Sequence, residues 1–442
     1  MGESHPLPAG PEELLVHESA LVSPATPWHR SITRDQWRVL LAAKFGWMLD
    51  AADFMLYAMA LGHIRVYFAM DDRTAGLLAT TTLVMSGVGG LLFGYVADRF
   101  GRTRALTWTI LIFSLSSLGA STSQTVVQLA LWRAALGIGM GGEWASGAVL
   151  VSESWPAAHR NKASAIMQSG WALGYILAAL LAAAVLGNSA PGDQRWRWLF
   201  VAGVLPAMFT LWIRRNVREP DAWTRAARTS APANPFAVIL GPGLRSTTLR
   251  VALLTTAVQF AYWGIFFWLP SFLSRPVAQG GAGMGIVGST VWIVAVQIGA
   301  YAGYLTFGLL ADRIGRRRSF VLFMVAAAVI VPLYAQLATS PRALLLLSPV
   351  FGYFGHGYFS MFGAFIAELF PTAARATAQG TTYNIGRMAG AAGPWTIGAL
   401  ASIPSVGLGL ALAGTSAFFL LAAVLVFTLP DRSGESLEGG RV

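Results

Sequence analysis

Apolar stretches long enough to cross about 30 Å of hydrocarbon at 1.5 Å per residue recur along the chain. The first six lie near residues 39–64, 75–97, 105–123, 127–151, 162–187 and 196–214, and six more near 251–273, 286–310, 319–338, 343–367, 376–402 and 407–429. The polar segments between them are short except for 215–250, which carries Pro220, Pro232, Pro235 and Pro242. This pattern predicts an all-α integral membrane protein of twelve transmembrane helices in two six-helix halves. The first bundle is expected over 36–214, a cytoplasmic linker over 215–250 and the second bundle over 251–430. Residues 1–35 are polar, with Pro6, Pro8, Pro11, Pro24 and Pro27 and no basic-then-apolar order of a cleaved signal peptide. They and residues 431–442 are expected to be disordered cytoplasmic tails.

The two sets of spans also share phrases. Gly94-Tyr-Val-Ala-Asp98-Arg99-Phe-Gly101-Arg102-Thr-Arg104 returns as Gly308-Leu-Leu-Ala-Asp312-Arg313-Ile-Gly315-Arg316-Arg317-Arg318, 214 positions later. Glu153-Ser-Trp-Pro156-Ala-Ala-His-Arg160 returns as Glu368-Leu-Phe-Pro371-Thr-Ala-Ala-Arg375, 215 positions later. Two different phrases recurring at one offset imply an internal duplication with a unit of about 200 residues.

Composition narrows the function. Apolar residues are 55% and charged residues 12% of the chain, against about a quarter charged in soluble domains. There is no cysteine, which excludes disulfides, thiol nucleophiles and thiolate metal sites. The six His residues lack metal-binding spacing, so no metal or other cofactor is expected, and no nucleophile motif suggests an enzyme. The net charge of +11 reads as basic cytoplasmic loops rather than as nucleic-acid binding. With the N-terminus inside, only six of the 31 Lys and Arg fall outside (Arg65, Arg73, Arg195, Arg197, Arg275, Arg342), and three lie within spans (Lys44, Arg133, Arg387). Both termini are therefore expected on the cytoplasmic side of a bacterial inner membrane. Six spans per half then give parallel repeats related by an axis along the membrane normal.

The motif Gly-x-x-x-Asp-Arg-x-Gly-Arg-x-Arg, present after the second and eighth spans, resembles the signature loop of the major facilitator superfamily. Arg133-Ala-Ala-Leu-Gly-Ile-Gly-Met-Gly-Gly-Glu143-Trp144 resembles the fourth-span signature of its sugar and metabolite symporter branches. Arg195-Trp-Arg-Trp-Leu-Phe, followed by Arg214-Arg-Asn-Val-Arg-Glu219-Pro220, is similar to the end of the first half in those branches. Leu49-Asp50-Ala-Ala-Asp53-Phe54 is similar to the first span of the sialate/lactate and aromatic-acid proton symporters. The seventh span, Gln259-Phe-Ala-Tyr262-Trp263-Gly264, lacks the His/Gln/Asp-rich pattern of the fungal monocarboxylate branch. The fifth has no proline and so departs from the drug exporters.

The resemblance implies that the repeated phrases gate the cytoplasmic side. Asp98, Arg99, Arg102, Asp312, Arg313 and Arg316 would pair with Glu153, Arg160, Glu368 and Arg375 in a charge latch that closes in the outward-facing state. Gly94, Gly101, Gly308 and Gly315 suit tight turns and close helix contact. The alternative is that these charges only fix topology, as surface pairs worth about 0–1 kcal/mol each.

Charges inside spans are more discriminating, since one at mid-bilayer costs about 2.5–3.5 kcal/mol on insertion scales. Asp50 and Asp53 share one helix face. At 1.5 Å per residue Asp53 lies about 16 Å, and Arg133 about 9 Å, below the outer ends of their spans, within side-chain reach of each other. Asp50 and Glu143 fall at about 21 and 24 Å by the same rise. Resemblance to sugar symporters implies that a first-span Asp and Arg133 carry the coupled proton, with Glu143 a further candidate. A permanent ion pair that only holds helices together is the alternative.

The second half has few acids, so Arg387, near the midplane beside Tyr383 and Asn384, needs either a substrate carboxylate or a first-half acid as partner. Gln168, Trp171, Tyr175, Gln259, Tyr262, Trp263, Gln297, Tyr301 and His356 could line the same depth. The chain is thus expected to be a monomeric, proton-coupled importer of a small organic anion of monocarboxylate type, working by alternating access in a lipid bilayer. A neutral-metabolite or sugar symporter is the alternative cargo, and a non-transporting receptor the alternative class.

Overall fold

The structure is a computed structural model that describes residues 28–156, 159–190, 192–219, 235–370 and 375–430. The expected tails and linker therefore lie outside the described residues over 1–27, 431–442 and 220–234. Every described element is helical. In the first half these are α1 (Arg34–Tyr67), α2 (Asp72–Phe100), α3 (Arg102–Ser121), α4 (Val126–Ser154), α5 (Arg160–Gln168), α6 (Gly170–Leu186), α7 (Trp196–Ala202) and α8 (Leu205–Asn216). A short α9 (Pro235–Leu240) precedes the second half: α10 (Arg245–Phe266), α11 (Leu269–Ser274), α12 (Gly285–Ile314), α13 (Arg316–Gln336), α14 (Pro341–His356), α15 (Phe359–Leu369), α16 (Arg375–Gly390), α17 (Ala392–Ala401), α18 (Gly407–Gly414) and α19 (Ser416–Leu425).

Local chemistry sets where these helices start. Thr33 and Gln36 form a capping box at the head of α1, with Gln36 N donating to Thr33 Oγ1 at 3.3 Å and Thr33 N to Gln36 Oε1 at 2.9 Å. Asp71 caps α2 by accepting from Thr74 N at 2.8 Å. Glu219, from the far end of the first half, takes the amides of Thr103 at 3.1 Å and Arg104 at 3.2 Å and so satisfies the N-terminus of α3. Several helices continue one another after a break of one or two residues. The breaks at Ser169 and Ala391 fall in the fifth rod of each half, and those at Gly203–Val204 and Thr415 in the sixth. Each break residue keeps right-handed helical torsions where they are recorded, as Ser169 does at φ −62° and ψ −15°, so these are kinks rather than turns.

Among the described residues, seven helical stretches are long and apolar enough to cross a membrane by length and composition. Apolar residues face outward around the bundle, with Leu346 79% and Met208 69% exposed. A water-soluble domain would keep such side chains apart, whereas lipid requires them. Polar groups are instead drawn inside. α1 has no polar stripe, and its two central aspartates, Asp50 and Asp53, are buried with the rest of its central turns.

Packing repeats the duplication. Within the first half α2 lies on α4 and α1 on α6; within the second, α12 lies on α14 and α10 on α16. The seams between halves follow the same rule, α2 against α16 and α17, and α12 against α5 and α6. Gly101 and Gly315 occupy matching sharp turns at φ 112° and 91°, torsions that L side chains rarely adopt. Gly94 and Gly308 correct the sequence expectation. Both lie inside helices, and a Cβ on either would meet nothing within 4 Å. Neither makes a turn or a close approach here.

One face of the bundle carries the start of α1 and the end of the last helix. There Trp155 Nε1 donates to Gln36 O at 3.0 Å, and Arg317 reaches Leu429 O at 2.6 Å. On the opposite face Arg197 reaches Tyr67 Oη at 3.1 Å.

Candidate functional site

A cavity lies where the two halves meet, with ≈ 240 Å³ of empty space when its opening to solvent is included, lined by Trp47, Gln168, Trp171, Gln259, Tyr262, Trp263, Tyr304, Phe359, Tyr383 and Arg387. Seven of these were candidates from the sequence. Two of the other three are readable afterwards by spacing, Trp47 three residues before Asp50 and Tyr304 three after Tyr301, one helix face in each case; Phe359 instead opens α15, just past the break that follows His356. Neighbouring rings brace the walls. Trp171 lies 4.9 Å from Trp47 and 5.5 Å from Trp263, and Phe54 lies 4.9 Å from Trp263, centroid to centroid.

The remaining sequence candidates stand outside this lining. Tyr175 donates its hydroxyl to Phe266 O at 2.7 Å, which ties the two halves together. Asn384 donates to Gly380 O at 2.9 Å on its own helix. His356 is buried behind the wall, its ring 4.1 Å from Phe266 and 5.2 Å from Tyr262, with Nδ1 3.1 Å from Gly352 O. Gln297 is fully buried with neither amide atom partnered. Tyr301 is met by Lys44, whose ammonium stands 5.4 Å from the ring centre. Lys44 of the first half thus contacts the second.

The charged groups form two linked sets. Arg133 is buried with its guanidinium 4.6 Å from the Tyr57 ring and 5.2 Å from Phe54, and none of its three side-chain nitrogens has a hydrogen-bond partner. It attracts Asp53 and, more weakly, Asp50. Asp53 accepts from Ser117 Oγ on α3, and its Oδ2 is unpartnered. Arg387 sits among Tyr383, Trp47 and Trp144 at 5.2, 6.0 and 6.0 Å. It attracts Asp50 and Glu143 from across the seam. The oxygens of both acids are buried and unpartnered, as are Nε and Nη1 of Arg387. Five buried ionisable groups, of which Arg387 lines the cavity, therefore stand without a direct ion pair joining them. Buried charge that stays unpaired is costly, which makes the cluster responsive to protons and to any anion that enters.

Each end of the cavity is sealed differently. Toward the face that carries both ends of the bundle, Trp144 and Tyr383 stack across the seam at 4.0 Å and 16°. Toward the opposite face, Asp72 receives Arg275 of the second half at 2.7 and 2.5 Å, and Arg65 of its own half at 2.7 Å. Thr80 Oγ1 donates across the same seam to Ala391 O at 2.6 Å, while within the second half Trp268 Nε1 donates to Pro394 O at 2.9 Å. The sequence reading counted Arg65 and Arg275 as topology charges and passed over Asp72, because nothing in the chain order brings residues 72 and 275 together. Of the repeated phrases, Arg102 is buried and donates to Ala97 O at 2.9 Å, bracing its own turn. Arg313 is exposed and Arg316 half-buried. The side chains of Asp98, Arg99, Glu153, Arg160, Asp312, Glu368 and Arg375 lie outside the described residues.

Comparison with known proteins gives a consistent picture. Residues 45–296 and 281–441 each match the Major Facilitator Superfamily. Over 417 residues the chain is 34% identical to a Haemophilus influenzae protein classed with metabolite transport proteins, covering 91% of this chain and 98% of that protein. Over 408 residues it is 31% identical to the cis,cis-muconate transport protein of Acinetobacter baylyi, covering 90% and 95%. Among solved structures, a D-xylose–proton symporter superposes with a TM-score of 0.72 over 90% of this chain and 99% of that one. Its 18% identity is a likeness of fold alone.

Proposed function

We propose that this chain, which belongs to the Major Facilitator Superfamily and is therefore a multi-pass membrane transporter, imports a small organic anion together with protons. Family membership rests on the two matches, which run from residue 45 to 441, and on relatives above 30% identity. The observation that carries the cargo reading is Arg387. It is buried, keeps two nitrogens unpartnered and lines an aromatic cavity between the halves. A planar carboxylate would meet the guanidinium through paired charge-assisted hydrogen bonds and lay its apolar body against the indoles. The muconate cargo of one relative, an unsaturated acid, is of that kind.

Coupling follows from competition for Arg387. Asp50 and Glu143 attract the same guanidinium. Protonation of either loosens that hold and leaves Arg387 for the substrate. Asp53, whose Oδ2 has no partner, takes or returns a proton as its distance from Arg133 changes. The halves rock about the cavity, opening the lock at Asp72 or the stack at Trp144 in turn. Both termini face the cytoplasm of a bacterial inner membrane, so the Asp72 lock faces outward.

Proteoliposomes test this directly. An inward proton gradient should drive accumulation of a carboxylate, and Asp53→Asn should abolish accumulation while leaving counterflow exchange. Arg387→Gln should abolish both. Uptake indifferent to the gradient in the parent protein would overturn the coupling, and carboxylate uptake that survives Arg387→Gln would overturn the cargo reading.

A further inference from the structure

The lining residues hold five buried side-chain atoms without a partner: Nε1 of Trp47, Nε1 of Trp171, Nε2 of Gln259, and Nε and Nη1 of Arg387. All five are N–H donors. The two glutamines make the bias deliberate. Trp263 Nε1 donates to Gln259 Oε1 at 2.8 Å, and Trp144 Nε1 donates to Gln168 Oε1 at 3.4 Å. An indole N–H can only donate, so it holds the oxygen of each amide and turns the NH₂ end away from it, and Nε2 of Gln259 is left without a partner. No lining residue contributes an obligate acceptor that is free, since the hydroxyls of Tyr262, Tyr304 and Tyr383 can take either role.

The donors also stand at different levels. The backbone of Gln259 abuts Gly390, where a Cβ would come 2.6 Å from Gln259 Cβ. Gly390 lies three residues beyond Arg387 on α16, a rise of about 4.5 Å. The backbones that carry Arg387 and Gln259 are therefore offset by about one helical turn along α16.

We propose that the cavity selects planar acids that carry a second hydrogen-bond acceptor, such as a carboxylate, carbonyl or ring nitrogen, and that Gln259 reads that acceptor. A buried donor left unsatisfied is penalised more than a made bond is rewarded, so an acid lacking the second acceptor is discriminated against. This rests on the organic-anion reading above and narrows its substrate class.

The test is equilibrium binding to the full chain in lipid nanodiscs near neutral pH, with two matched pairs of probes, the first isosteric and the second differing by a carboxylate in place of a methyl. Pyridine-3-carboxylate is compared with benzoate, and trans,trans-hexa-2,4-dienedioate with trans,trans-hexa-2,4-dienoate. The acceptor-bearing member should bind about tenfold more tightly in each pair. Gln259→Met should shrink that preference to about twofold or less. Should that variant fail to fold, the paired affinities of the parent protein decide alone. Equal affinities within the pairs, with binding still lost in Arg387→Gln, would overturn the acceptor rule and leave the anion reading standing. No binding by any of the four carboxylates would overturn both.

Discussion

Replacing Arg275 by Gln removes the ion pair that joins the two halves at Asp72. In the closed arrangement Asp72 takes both terminal nitrogens of Arg275, at 2.7 and 2.5 Å, with side chains only 9% and 12% exposed. Arg65, at 2.7 Å, lies on the same half as Asp72 and is 27% exposed. Asp72 therefore keeps a partner when Arg275 is lost. Gln can still donate one hydrogen bond to Asp72, so the net cost should resemble the loss of one of the two charge-assisted bonds, about 2 kcal/mol, rather than the 3–5 kcal/mol or so of an orphaned buried charge. The bond exists only while this face is shut, so the whole of that difference moves the equilibrium between closed and open, by about thirtyfold. The chain has no cysteine, so a single Thr80→Cys provides a clean reporter at a seam contact that now binds Ala391 O at 2.6 Å. Its reaction with a membrane-impermeant maleimide should quicken by ten- to thirtyfold in Arg275→Gln. Arg65→Gln should change it far less, because both partners move as one body. A rate altered by less than about twofold in Arg275→Gln, or an equal response to Arg65→Gln, would refute the assignment of a cross-half lock.

Other expectations concern packing. Gly101→Ala should destabilise the purified protein by about 1–2 kcal/mol, because its φ of 112° strains an L residue. Gly94→Ala in the same phrase should instead be neutral or stabilising by up to about 1 kcal/mol, since it fills open space inside a helix; thermal melts in detergent separate the two. Gly46→Ala should lower the melting temperature by crowding Glu143, since its Cβ would stand 2.5 Å from Oε1. If that melt is unchanged, α1 and α4 are not packed at this crossing as described.

Chain order alone carries the architecture. Hydrophobic runs of span length must be satisfied by helices in lipid, and two phrases repeated at offsets that differ by one residue give two like halves. The torsions of Gly101 and Gly315 and the matching seams of α2 and α12 follow from that duplication. Single helices also revealed that Asp50, Asp53, Arg133, Glu143 and Arg387 are too costly in hydrocarbon to lack a purpose. Depth along a helix is legible at 1.5 Å per residue, but azimuth and the partner across a seam are not. Only the packed halves put Arg387 in reach of Asp50 and Glu143, paired Asp72 with Arg275, and turned the amides of Gln168 and Gln259 by setting an indole against each. Those contacts join residues of different helices or fix one rotamer among several, and neither is encoded in periodicity. The repeat is a property of the chain, whereas the chemistry of the cavity arises where its two copies meet.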